Sequence, residues 1–149
     1  MVCVLALALP ASAQDAAALS GTWTLQSDAT AARSRRAING ISIATRLVIR
    51  QSAAEVSVDS NTGTDGAIVT TIYTLGGNAH AIPGPIGWDT VAKSRLEGSR
   101  LLIDIRRSVQ GPQGELTFEI AEVYSVAGDT LTLERTQGRT VQTLVYKRG

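Results

Sequence analysis

The sequence predicts an all-β fold: an antiparallel up-and-down β-barrel of about eight to ten strands, with one short helix after the first. Three observations predict it. Apolar and polar residues alternate over short stretches from Gly21 to the end of the chain. Turn residues interrupt that alternation at regular intervals, as successive hairpins require. The hairpins are also numerous enough for a meander to close on itself, which removes the exposed edges of an open sheet.

Taken in order, the candidate strands are residues 21–27, 43–51, 55–59, 67–75, 88–96, 100–108, 115–126, 130–136 and 140–147. Between them lie the turn sequences Asn61-Thr62-Gly63, Gly76-Gly77, Glu97-Gly98, Gly111-Pro112-Gln113-Gly114, Gly128-Asp129 and Gln137-Gly138. The helix is expected over residues 29–38, capped by Asp28 and stopped by Asn39-Gly40; it carries Arg33, Arg35 and Arg36. Residues 78–87, with Pro83 and Pro85, read as an irregular loop.

The segment before the first strand belongs to a different category. Val2 to Leu9 is an uncharged apolar run, and Ala11-Ser12-Ala13 supplies a small-x-small cleavage pattern. Residues 1–13 are therefore expected to be a signal peptide, 14–20 an N-terminal arm and 21–149 a single barrel domain, periplasmic or secreted. The apolar run falls short of the roughly 20 residues that span a bilayer, so no membrane span is expected. Cys3, the one cysteine in 149 residues, would leave with the leader, and disulfides would play no part in the mature fold.

Composition narrows the function. A net charge of +1 argues against nucleic acid as a partner, since phosphate binding draws on a surplus of basic charge. One His and one Cys cannot build a multi-His or Cys-rich metal centre, and no metal or cofactor is expected. No Gly-x-Ser-x-Gly elbow accompanies His80, no phosphate loop opens a helix, and the carboxylates are scattered. An enzyme is not expected.

The turns also act as rulers, because cross-strand partners share a face. A two-residue turn at Gly128-Asp129 pairs Tyr124 with Leu133 and sets Glu122 opposite Arg135. All four share the face of Leu116, Phe118 and Ile120, so an acid and a base meet in an otherwise apolar inner row. A turn at Glu97-Gly98 pairs Ser94 with Leu101 and Ala92 with Ile103. Trp88, Thr90, Ala92 and Ser94 then face inward. Small residues opposite bulky ones leave room, filled either by a cavity or by a neighbouring side chain. Arg106 and Glu119 fall on the outer face. In the last hairpin a two-residue turn sends Gln142, Leu144 and Tyr146 inward, and a bulge sends Val141 and Val145 instead.

Gly21-Thr22-Trp23, Tyr73-Thr74-Leu75 and Leu144-Val145-Tyr146-Lys147 follow the order of motifs in a known group. In these residues the chain resembles the small exported bacterial lipocalin-like (calycin) proteins of uncharacterised function. The Thr-Asp-Tyr motif of the classical lipocalins is absent. The resemblance implies that Trp23, introduced by Gly21, closes one end of the barrel and that a late-strand Arg packs across it; Arg135 is the first candidate and Arg148 the second. It also implies that Arg33, Arg35 and Arg36 lie near the mouth.

The expected function is binding of a small apolar or amphipathic molecule inside the barrel, lined by Trp88, Ala92, Ser94, Phe118, Glu122, Tyr124 and Arg135. Glu122 and Arg135 serve either as a polar anchor for a head group or as an internal ion pair fixing register. The alternatives are a protease inhibitor acting through the arm at residues 14–20, or a structural envelope protein with no ligand. The sequence leaves the oligomeric state open.

Overall fold

The computed structural model describes residues 18–29 and 42–149. The expected signal peptide, most of the arm, the helix with its three arginines, and Cys3 lie outside the described residues. Among the described residues ten strands form: β1 (Gly21–Asp28), β2 (Arg46–Gln51), β3 (Glu55–Ser60), β4 (Val69–Thr74), β5 (His80–Ala81), β6 (Asp89–Glu97), β7 (Arg100–Gly111), β8 (Gly114–Ala127), β9 (Thr130–Gln137) and β10 (Thr140–Arg148). One 3-10 turn, Thr64–Gly66, links β3 to β4.

The strands form a single sheet in the order β4-β3-β2-β1-β10-β9-β8-β7-β6-β5, with antiparallel neighbours throughout. Pairing of β1 with β10 joins the first of these strands to the last. The barrel is nearly closed, with its seam between β4 and the short β5. There Leu75 bridges Ser94 of β6 in parallel, and the Gly77 amide donates to the Ser94 carbonyl at 3.3 Å.

The Gly128-Asp129 turn forms as expected, and Glu122 stands opposite Arg135. Two other turns fall one residue later than the sequence reading placed them. Glu97 pairs with Arg100 and Gln137 with Thr140, so the turn residues are Gly98-Ser99 and Gly138-Arg139. Ser94 therefore faces Ile103, and Ala92 faces Ile105. A turn moved by one residue moves the cross-strand partner by two. That preserves the inner face, and Gln142, Leu144 and Tyr146 point inward. The segment over residues 78–87 is not wholly irregular, because His80 and Ala81 pair with Ala92 and Val91.

The two ends of the barrel are built differently. At the end where β1 begins, Trp23 is fully buried in the hydrophobic core, which also includes Leu19, Ile49, Val56, Leu131 and Tyr146. Its indole Nε1 donates to the Leu19 carbonyl at 3.0 Å. The Arg148 guanidinium lies 4.2 Å from the indole centroid and donates to the carbonyls of Ser20 at 2.8 Å and Ala18 at 3.3 Å. Gly21 is required beside this stack. Its φ of +145° disfavours any side chain, and a Cβ would come within 2.5 Å of Arg148 Nη1. Arg148, not Arg135, is thus the late-strand arginine over Trp23: the end of β10 runs beside Trp23, which pairs with Arg148, whereas Arg135 lies far along β9.

Candidate functional site

The other end of the barrel is hollow. Side chains from β2, β3, β4, β7, β8 and β9 surround a half-open cavity of about 380 Å³. Residues 82–85 of the loop between β5 and β6 contribute to its wall. This loop folds against Thr90, one of the small inner residues of β6: a Cβ on Gly84 would lie 2.0 Å from the Thr90 hydroxyl. The room beside Thr90 is therefore taken by a loop backbone. Glycine at position 84 permits the approach.

The cavity wall combines apolar residues, Leu47 on β2, Val58 on β3, Ile105 on β7 and Ile120 on β8, with three charged residues, Arg107 on β7, Glu122 on β8 and Arg135 on β9. Arg135 Nε donates to Glu122 Oε1 at 2.7 Å, and both side chains are largely buried. Arg135 Nη1 also donates to Gln142 Oε1 at 3.3 Å and to the Ser42 carbonyl at 3.4 Å. The Tyr124 hydroxyl donates to Glu122 Oε2 at 3.5 Å. Burial opposes the Arg135 charge, but Glu122 outweighs it and holds the guanidinium above its ordinary pKa. Burial likewise pushes the Tyr73 and Tyr124 phenols up, with Glu122 adding to the effect. These tyrosines remain neutral hydrogen-bonding groups at physiological pH.

Arg107 stands apart from that network. Its Nε is buried without a hydrogen-bond partner, and among the described residues no carboxylate lies within ion-pairing distance. Desolvation pulls its pKa below the ordinary value while Glu122 works against the shift. An arginine remains charged under such a shift at neutral pH.

The expected lining residues divide into two groups. Glu122, Tyr124 and Arg135 line the cavity together. Ala92 and Ser94 face inward but are only 1% exposed in the packed core and do not reach the cavity wall. Trp88 and Phe118 do not reach it either. Trp88, just before β6, and Phe118, on β8, pack their rings together at 5.5 Å and 46° at the rim, and Phe118 is 42% exposed. The distinction follows from height along the barrel: facing inward puts a side chain in the core, the cavity or the rim according to its level.

Arg107 escaped the sequence reading, although the register contained it. Setting Arg106 against Glu119 on the outer face puts Arg107 and Phe118 on the inner one, and the structure pairs Arg107 with Phe118. His80 is engaged structurally, its Nε2 accepting from the Thr74 amide at 3.2 Å across the seam. Among the described residues no cluster of metal-ligating side chains occurs, and no helix is long and apolar enough to cross a membrane.

No family model matches the chain, and no curated protein matches it. Solved structures do. The REP1-NXSQ fatty acid transporter superposes with a TM-score of 0.67 at 17% identity, covering 90% of this chain and 98% of its own. The wild-type fluorescent protein UnaG gives 0.64 at 19% identity, covering 88% and 97%. Fatty-acid-binding protein 1 of Echinococcus granulosus gives 0.60 at 12% identity, covering 88% and 97%. The fold is that of the calycin, or lipocalin-like, barrels that include fatty-acid-binding proteins.

Proposed function

We propose that this chain is an exported, non-enzymatic carrier that binds one small amphipathic molecule inside its barrel. The observation that carries this reading is the cavity, whose wall combines Leu47, Val58, Ile105 and Ile120 with the charged residues Glu122, Arg135 and Arg107. Concave sites of a few hundred Å³ with a small number of placed polar groups are the usual form of small-molecule sites. The apolar portion of the ligand rests against Leu47, Val58, Ile105 and Ile120, and its polar end faces the arginines. Structural likeness to proteins described as a fatty acid transporter and a fatty-acid-binding protein supports the same class. Export rests on the apolar run at residues 2–9 followed by Ala11-Ser12-Ala13.

An NMR titration with decanoate tests the reading. Saturable amide shifts centred on Tyr73, Ile105, Ile120 and Glu122 are expected. Shifts confined to the rim around Trp88 and Phe118, or none at all, would contradict it.

A further inference from the structure

Arg107, Arg135 and Glu122 are the charged residues on the described wall of the cavity, two cations against one carboxylate. The carboxylate is committed to one of the cations. Its two oxygens receive Arg135 Nε at 2.7 Å and the Tyr124 hydroxyl at 3.5 Å. Arg135 is further tied to Gln142 and Ser42, which fixes the guanidinium against the wall. Arg107, two strands away from Arg135, has no such partner, and its Nε is sealed from water. A guanidinium on a cavity wall with no carboxylate beside it favours an anionic ligand through charge-assisted hydrogen bonds. The cavity thus carries one positive charge with no ion-pair partner among the described residues.

We propose that Glu122 sets the charge of the ligand: by occupying Arg135 it leaves Arg107 as the single available cation, so the cavity accepts a head group with one negative charge. This rests on the cavity being the binding site. It assigns Arg107 as the residue that meets the anion and Glu122 as an internal counter-ion that determines specificity. A purely structural Glu122–Arg135 pair would hold the strands together without affecting which charge enters.

Charge-altering variants and three probes with the same alkyl chain distinguish the two. Affinities for decanol, decanoate and decyl phosphate are measured at about pH 8, where the phosphate monoester carries nearly two charges. The native protein is expected to favour decanoate. Arg107→Gln should lower decanoate affinity relative to decanol by roughly ten- to a hundredfold, the usual worth of a charge-assisted hydrogen bond. Glu122→Gln frees Arg135 and should favour decyl phosphate over decanoate by about tenfold or more. Arg135→Gln leaves Arg107 facing Glu122 and should remove the preference for decanoate over decanol. The double variant E122Q/R135Q restores one positive charge and should recover the native order.

Circular dichroism of each variant reports folding. Should E122Q alone fail to fold, R135Q and the double variant still decide. If all folded variants bind the probes in the native order, the pair is structural and the inference is overturned, while the cavity reading stands. If no probe binds to the native protein, both fall together.

Discussion

At the scale of single residues, the account depends on three arginines that the fold uses differently. Arg148 closes the barrel by stacking on Trp23 and holding the carbonyls of Ala18 and Ser20. Arg148→Ala should therefore lower stability by about 1–3 kcal/mol, from a lost cation–π contact and two lost hydrogen bonds, read as a lower urea midpoint. It should leave ligand affinity intact, because the stack lies at the end opposite the cavity. Arg135 is consumed by Glu122, and Arg107 is the arginine left open. The pairing of Glu122 with Arg135 was legible because a two-residue turn fixes partners by counting. The role of Arg107 was legible in principle from the same count. It was overlooked because a charged residue in a strand is ordinarily taken to face water. Assigning Arg135 to Trp23 failed because strand position and height are independent, and the resemblance supplied only the first.

At the scale of elements, nine of the ten strands were visible as alternation. The tenth, β5, has two residues, too few for any period to register. Turns at Gly98-Ser99 and Gly138-Arg139 came one residue later than expected, yet strand parity kept the inner face of β6, and in β10 the inward alternative is Gln142, Leu144 and Tyr146. The shortness of β5 has a consequence for the barrel wall. Among the described residues, most of β4 has no partner strand on the side facing the seam, and the crossing is confined to Leu75, Gly77 and Ser94, with His80 joining Thr74. Hydrogen exchange should therefore be faster for the seam-facing amides of β4 than for those of residues 121–125 of β8, which are paired on both sides. Equal protection in β4 and β8 would show a seam better sealed than these contacts allow.

At the scale of the whole molecule, a barrel solid at one end and hollow at the other joins stability to binding. Tyr73 and Tyr124 line the cavity and, with Tyr146, belong to the buried core. Burial raises the pKa of each above the ordinary value of 10.0, that of Tyr146 to about 12, and the Tyr146 hydroxyl donates to the Ala44 carbonyl at 2.9 Å. The folded chain keeps these protons at a pH where the unfolded chain releases them. Their contribution is thus fully present below about pH 10 and is lost as pH rises through the folded values. Urea midpoints should fall from about pH 10 upward, and tyrosinate absorbance should appear together with unfolding. Tyrosines that titrate near the ordinary value with the fold intact would show an interior open to water.

The central claim is that the hollow end holds a ligand, and a crystal structure of the protein grown with decanoate tests it most directly. The account predicts one molecule in the cavity, its carboxylate within hydrogen-bonding distance of Arg107 and its chain against Leu47, Val58, Ile105 and Ile120. A cavity filled by side chains or water alone, with decanoate absent or bound only at the Trp88–Phe118 rim, would contradict it.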